Sequence, residues 1–170
     1  RTVQGTDDPE MTVGLPFVFR FRFSWAGLRK LERVRLVQSR DEWAGLRERY
    51  LSEGFGESDW CFQEYLSPES TDNVSVCGWH EGNDRRYHVT RAVLRCPPLR
   101  GTAVVVEAVG GHDELVEKTA GILTALEFRG PFEMEYVRDP RTGAFKVIEL
   151  NPRFWLQHRL AQERDGYEIS

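Results

Sequence analysis

Near the carboxyl end of the chain, four side chains with hard oxygen donors fall at a spacing that could gather them on one surface. In the run GPFEMEYVRDPRTGAFKVIELNPRFW, residues 130–155, Glu133 and Glu135 alternate with Phe132, Met134 and Tyr136. Side chains on an extended strand point to opposite faces with period two, so the acids share one face and the apolar residues the other. Asp139-Pro140-Arg141-Thr142-Gly143 then carries Pro where φ near −65° is wanted and Gly where φ turns positive, so the chain reverses. The return segment, Ala144 to Leu150, alternates too, which predicts Phe145, Val147 and Glu149 on one face with Asn151 continuing that side. The hairpin therefore sets Glu133 and Glu135 against Glu149 and Asn151, with little but repulsion between the carboxylates. Oxygen donors of this kind suit Mg²⁺, a small octahedral ion usually held by one or two carboxylates together with substrate phosphates. Read from pattern alone, a solvated hairpin with a charged outer face fits equally well.

The elements that must position this hairpin can be read in order. Residues 1–11 are polar and read as a loosely tied lead-in, extended to 1–13 as a segment outside the folded lobes. Phe17-Val18-Phe19-Arg20-Phe21-Arg22-Phe23 predicts a strand with four phenylalanines on one face and Arg20 and Arg22 on the other. Val34 to Gln38 reads as a strand paired back on it. Ser39 with Glu42 three residues later opens a helix through about Ser52, with Trp43, Leu46 and Tyr50 at helical spacing. Trp60 to Leu66 is a strand leading to Ser67-Pro68. Segments 73–80 and 87–95 read as strands joined by a turn at Glu81-Gly82-Asn83-Asp84, and 102–109 as another strand. Residues 113–126 form an amphipathic helix with Leu115, Ala120, Leu123 and Leu126 on one side, and 156–163 is helical in pattern.

At 170 residues, 40% hydrophobic and 29% charged, the chain can bury a core and is not of disordered composition. A net charge of −4 argues against a nucleic-acid partner, whose phosphates need a basic face. No apolar run approaches the roughly 20 residues needed to span a bilayer, and no signal-like segment is present, so a membrane partner is not expected. Cys61, Cys77 and Cys96 lack metal-type spacing, and an odd count suits a reducing interior, so the cytoplasm is the expected compartment. The chain opens at Arg1 and stops at Ser170 in a charged helical pattern, as a fragment of a longer protein would.

Glu135 followed by Val147-Ile148-Glu149-Leu150-Asn151-Pro152-Arg153-Phe154-Trp155 resembles the metal-binding hairpin of the ATP-grasp superfamily, and the wording ELNPRFW is nearest the carboxylate-amine (peptide-bond-forming) ligases. Gly14-Leu15-Pro16-Phe17-Val18-Phe19-Arg20 resembles the family strand that ends in a phosphate-binding lysine, with Arg20 in the lysine's place. Ser24 to Lys30 falls where the family has a glycine-rich phosphate loop, though one glycine remains, and Arg29 and Lys30 carry the charge there. Trp60 to Leu66 resembles the linker that holds adenine. The resemblance spans about residues 15–155. It implies an α+β ATP-grasp fold of two lobes with antiparallel sheets clasping the nucleotide, residues 14–66 and 67–170, with the family's amino-terminal domain absent. It implies ATP with Mg²⁺, or Mn²⁺ in its stead, as cofactors. The metal would sit on Glu135, Glu149 and Asn151; Arg20, Gln63, Glu64 and Leu66, with Asp72 toward the ribose, would hold the nucleotide. Arg153 and Arg91, with Arg95 sharing the role, would neutralise the transferring phosphoryl group. The implied reaction joins a small-molecule carboxylate to an amine through an acylphosphate, with a missing domain or a second copy as the expected protein partner. Two rivals stand beside it: a degenerate ATP-grasp domain that binds nucleotide without turnover, and an unrelated Mg²⁺-dependent hydrolase.

Overall fold

A strand that alternates aromatic and basic residues must find cover for one face only, and the first half of the chain is built on that need. In the computed structural model, which describes residues 2–5, 7–32, 34–66, 73–96, 102–156 and 158, the chain divides into two compact units, Arg1–Leu66 and Ser67–Ser170.

In the first unit the elements run β1 (Thr2–Gln4), α1 (Pro9–Val13), β2 (Phe17–Phe21), β3 (Trp25–Ala26), β4 (Arg29–Lys30), β5 (Arg35–Val37), α2 (Arg40–Ser52) and β6 (Trp60–Glu64). A four-stranded sheet is ordered β1-β6-β2-β5, and β3 and β4 form a separate two-stranded ribbon. Phe17, Phe19 and Phe21 of β2 are buried with Phe62 and Trp60 of β6 under Leu46 and Tyr50 of α2. Phe19 stacks on Tyr50 with ring centroids 5.4 Å apart, and Trp43 meets Phe62 edge-on at 4.9 Å. Each such ring, fully buried, contributes about 1.5–3 kcal/mol by leaving water. Helix α2 starts where its sequence predicts: the Glu42 amide donates to Ser39 Oγ at 3.2 Å, and the Gln38 amide donates to Glu42 Oε2 at 2.8 Å. The expected loose lead-in is corrected here. Thr2–Gln4 pairs along β6, with Val3 opposite Phe62, and Asp8 caps α1 through the Glu10 amide at 3.0 Å.

The second unit holds β7 (Asn73–Glu81), β8 (Asp84–Cys96), β9 (Thr102–Val109), α3 (Asp113–Ala125), β10 (Gly130–Arg138) and β11 (Phe145–Asn151). Its five-stranded sheet is ordered β11-β10-β7-β8-β9, antiparallel throughout. One sheet face packs on α3: Val74, Val76, Val89, Phe132, Met134 and Tyr136 close over Leu115 and Leu123. Tyr136 buries its hydroxyl against Thr119 Oγ1 at 2.6 Å, so that polar tip costs little. Gly78 is required at the centre of this face, since a Cβ there would stand 1.9 Å from the Arg86 carbonyl oxygen. The helical pattern at 156–163 and the Ser67-Pro68 exit lie outside the described residues, apart from Leu156 and His158.

The hairpin departs from simple alternation at one point. Glu133 faces Asn151 and Glu135 faces Glu149, but Tyr136 then faces Val147, so Ile148 is an extra residue in β11. Phe145 and Val147 consequently lie on the helix face with Tyr136, and not with Glu149 as strict alternation predicts. The reason is burial: Phe145 packs against the α3 core, and without the inserted residue either Phe145 or Glu149 would be on the wrong face. The turn is clamped by Asp139, whose side chain is wholly buried. Its carboxylate takes Arg141 Nη2 at 2.9 Å and Lys146 Nζ at 2.7 Å, while Gly143, at φ 72°, donates its amide to the Asp139 carbonyl at 2.7 Å.

Deleting Ile148 should therefore cost about 3 kcal/mol or more, because it forces a carboxylate toward the core or a ring out of it. Ile148→Ala, at a partly exposed position, should cost under about 1 kcal/mol. Urea denaturation of both variants decides, and a deletion no worse than the alanine change would remove the bulge from the account.

Candidate functional site

Directly opposed residues in an antiparallel pair project to the same face, with side chains about 4.5–5.5 Å apart at Cβ. The register of β10 and β11 thus collects Glu133, Glu135, Glu149 and Asn151 on the sheet face away from α3. All four are half-buried. The Asn151 amide is shared between Glu133 Oε2 and Glu135 Oε1, at 3.4 Å each. These are long bonds for anionic acceptors, which normally draw donors to 2.7–2.9 Å.

The electrostatics follow from this crowding. The Glu133 carboxyl is pushed above its usual range first by burial and next by Glu135; Arg153 pulls it partly back, and Glu149 raises it further. Glu135 is raised by burial and then by Glu149, against the opposing fields of Arg95 and Arg153 and the hydrogen bond from Asn151. The floor of the site comes from β7 and β8. Cys77 lies in register with Glu133 and with His88, and its buried thiol is pushed well up by desolvation and then by Glu133, so it stays protonated and un-nucleophilic. Trp155 closes over it, clustering with Cys77 and lying 4.9 Å from the His88 ring.

Among the described residues no three His, Cys, Asp or Glu side chains form a ready metal cluster. What the hairpin offers is two opposed carboxylates, a third beside them and an amide, the donor set for an ion that completes its shell with phosphate oxygens and water. By that chemistry the residues fit Mg²⁺. Glu133, placed with the others by register and by its contact with Asn151, belongs to the cluster although the expected ligand set left it out. Its sequence signal was the same period-two alternation that marked Glu135.

Not every expected residue meets there. Arg91 sits opposite Val74, on the helix face of the sheet and away from the acids, and its Nε donates to Glu107 Oε1 at 2.8 Å across the β8–β9 ladder. The expectation that Arg91 serves this site is therefore corrected: residues two apart on a strand share a face, so Arg91 goes with Val89 to the α3 side. Register shifts between Ala92 and Arg95 follow it along β8, and it is Arg95 whose field reaches Glu135. Arg153 is exposed, bonds the Phe154 carbonyl at 3.1 Å and acts on both Glu133 and Glu135.

In the first unit, Arg20 and Gln63 lie on the sheet face opposite the aromatic core, with Arg20 Nη1 donating to Gln63 Oε1 at 3.4 Å. Gln63 in turn donates to Thr2 Oγ1 at 3.1 Å. Glu64 falls opposite Phe17, Leu66 lies just beyond β6 and is half-buried, and Asp72 lies outside the described residues. The β3–β4 ribbon turns at Gly27, φ 57°. Arg29, expected to face phosphate, is bonded to Glu53 at the end of α2 at 2.8 Å.

Comparison with known proteins bears on the family and the fold. Residues 70–170 match the family model for the carbamoyl-phosphate synthase L chain, ATP binding domain. The chain is 27% identical over 174 residues to the carbamoyl phosphate synthase large chain of Methanothermobacter thermautotrophicus, covering 93% of this chain and 15% of that protein. Among solved structures it is similar to Rhizobium etli pyruvate carboxylase with the allosteric activator acetyl coenzyme A, at a TM-score of 0.65 and 21% identity over 94% of this chain and 14% of that one. It is also similar to the ATP-grasp ligase PsnB complexed with a phosphomimetic variant of its minimal precursor, Mg and ADP, at a TM-score of 0.62 and 22% identity over 99% of this chain and 49% of that one. The fold is the α+β, antiparallel-sheet fold of the ATP-grasp superfamily, and the chain spans half or less of each of these relatives. No described helix is long and apolar enough to cross a membrane.

The raised carboxyls carry a pH signature. An acid whose folded pKa lies above its unfolded value stabilises the fold at low pH, and that contribution is lost as pH rises through the folded pKa. Without divalent ions, Glu135→Gln should thus be more stable than the parent at about pH 7.5, with the advantage shrinking toward about pH 5. Asp139, held below the usual carboxylate range by Arg141 and Lys146, has the opposite sign and intrudes only in stronger acid. Urea midpoints at the two pH values test this; a glutamine variant equally or less stable at both would contradict it.

Proposed function

This chain belongs to the family of the carbamoyl-phosphate synthase L chain ATP-binding domain, an ATP-grasp family, and from that premise we propose that it is the ATP- and Mg²⁺-binding part of a carboxylate-amine ligase. The observation that carries the reading is the β10–β11 register, which sets Glu135 against Glu149 and Glu133 against Asn151 on one sheet face. Glu135, Glu149 and Asn151, with Glu133 beside them, would hold Mg²⁺, which when bound supplies charge neutralisation at the phosphates. Arg20 and Gln63 share a polar face and are assigned to phosphate and adenine; Glu64, Leu66 and Asp72 complete that assignment.

The reaction proposed is attack of a substrate carboxylate on the γ-phosphorus of ATP, releasing ADP, then displacement of phosphate from the acyl carbon by an amine. The protein's part in such transfers is positioning and charge stabilisation. Arg153 and Arg95, whose fields already reach the acids, are the side chains suited to the negative charge spread over the transferring oxygens. The carboxylate and amine are small molecules, and the compartment proposed is the cytoplasm. One observation favours a second reading, nucleotide binding without turnover: Arg20 replaces the family lysine, and Arg29 in the phosphate-loop position is engaged with Glu53. A guanidinium fork keeps the charge of an ammonium but not its geometry. The hydrolase that acts without ATP has no support from an ATP-binding family.

Calorimetric titration of ATP with and without Mg²⁺ tests the proposal. Binding should need Mg²⁺, and Glu149→Ala should lose about tenfold or more of the metal-dependent affinity while unfolding at a similar urea concentration. ATP affinity unchanged in Glu149→Ala would take the hairpin out of the site. Phosphate release on adding carboxylates and amines separates the ligase from the non-turning binder.

A further inference from the structure

On the α3 face of the second unit, away from the acid cluster, a cavity of about 440 Å³ opens beneath the end of α3. It is lined by His80, Arg85, Thr124, Glu127, Phe128 and Arg129. Register explains why β7 and β8 contribute: His80 lies opposite both Arg85 and Gly130, so the strand histidine, the strand arginine and the loop leaving α3 meet at one end of the sheet. We propose that this cavity is a binding site for a small oxyanion, the phosphate or carboxylate group of a metabolite, distinct from the nucleotide and metal site.

Three observations carry it. Two arginines from separate elements converge on the cavity, and among the described residues neither makes an ion pair, whereas Arg29, Arg35, Arg40, Arg47 and Arg49 are each held by a glutamate. Arg85 is set in place by its Nε, which donates to the Gly82 carbonyl at 2.9 Å in the β7–β8 turn, leaving the two amino ends of the fork for a planar oxyanion. The floor is a buried histidine. His80 is 3% exposed; its Nδ1 is bonded to the Tyr87 hydroxyl, and its other nitrogen has no protein partner among the described residues. Burial, and secondly Arg85, hold its pKa below the usual value, so near neutral pH it offers a hydrogen bond and not a charge.

The third observation is Glu127, the one acid in the lining. It is the only non-glycine residue among those described with positive φ, 51°, at the end of α3 where glycine is the favoured residue. A carboxylate kept in a conformation that disfavours it, beside two arginines, limits the cavity's net charge and hence the anion it accepts. Thr124 spends its hydroxyl proton on the Ala120 carbonyl at 2.7 Å, so it can only accept.

The test is a titration of the 170-residue chain with inorganic phosphate and, separately, acetate at fixed ionic strength, read by nuclear magnetic resonance shifts of the residue 80–85 and 124–130 amides. Saturable shifts confined to those amides are expected with at least one probe, and which one answers separates a phosphate from a carboxylate ligand. Arg85→Ala and Arg129→Ala should each weaken binding about tenfold, and Glu127→Gln should tighten it about threefold by removing a like charge. Arg86→Ala, which removes a pair with Asp84 on the other sheet face, should leave it unchanged. No saturable shift with either probe, or alanine variants that bind as tightly as the parent, would overturn the proposal, as would a Glu127→Gln variant that binds more weakly.

Discussion

The β10–β11 hairpin holds together carboxylates that repel each other. Glu135 and Glu149 face one another because Phe132, Met134 and Tyr136 must lie on α3; once the apolar residues are fixed on one face, the intervening acids have nowhere else to go. Burial of those rings and of Met134 is worth several kcal/mol in total, enough to hold a surface arrangement that charge alone would spread apart. The inserted Ile148 reconciles the two strands: it lets Phe145 keep its place in the core while Glu149 and Asn151 stay with the acids. Asp139 fastens the turn with two cations. The two faces of a single sheet are therefore in tension, with the packed face supplying the free energy that the acidic face consumes.

Much of this was legible in the residues themselves. Period-two alternation located β2, β10 and most of the five-stranded sheet, and the Ser39 to Glu42 spacing located the start of α2. The acid cluster could be read because Glu133, Glu135, Glu149 and Asn151 flank an unmistakable turn, Asp139 to Gly143. What could not be read depended on register. A bulge has no local signature when Val147 and Ile148 are both apolar, so the strict alternation of Phe145, Val147 and Glu149 failed. Arg91 was misplaced for the same reason, since its face is fixed by its cross-strand partners and not by its distance from Pro97. The lead-in was misjudged because three residues, Thr2 to Gln4, are too few to show a pattern until β6 offers an edge to pair with.

Each unit segregates its chemistry in the same way. In the first, aromatic packing on α2 leaves Arg20 and Gln63 on the opposite sheet face; in the second, aliphatic and aromatic packing on α3 leaves the acids. The polar face of the first unit carries a cation, Arg20, and that of the second carries carboxylates, Glu135 and Glu149.

The hairpin carboxylates are held above their ordinary pKa by burial and by one another, and a cation between them should relax both. Carbon-13 titration of the glutamate side-chain carboxyls measures this directly. Without divalent ions, Glu133 and Glu135 should titrate above 4.5, the ordinary glutamate value, and millimolar Mg²⁺ with nucleotide should move both downward. Midpoints at the ordinary value, indifferent to Mg²⁺ and nucleotide, would contradict the account.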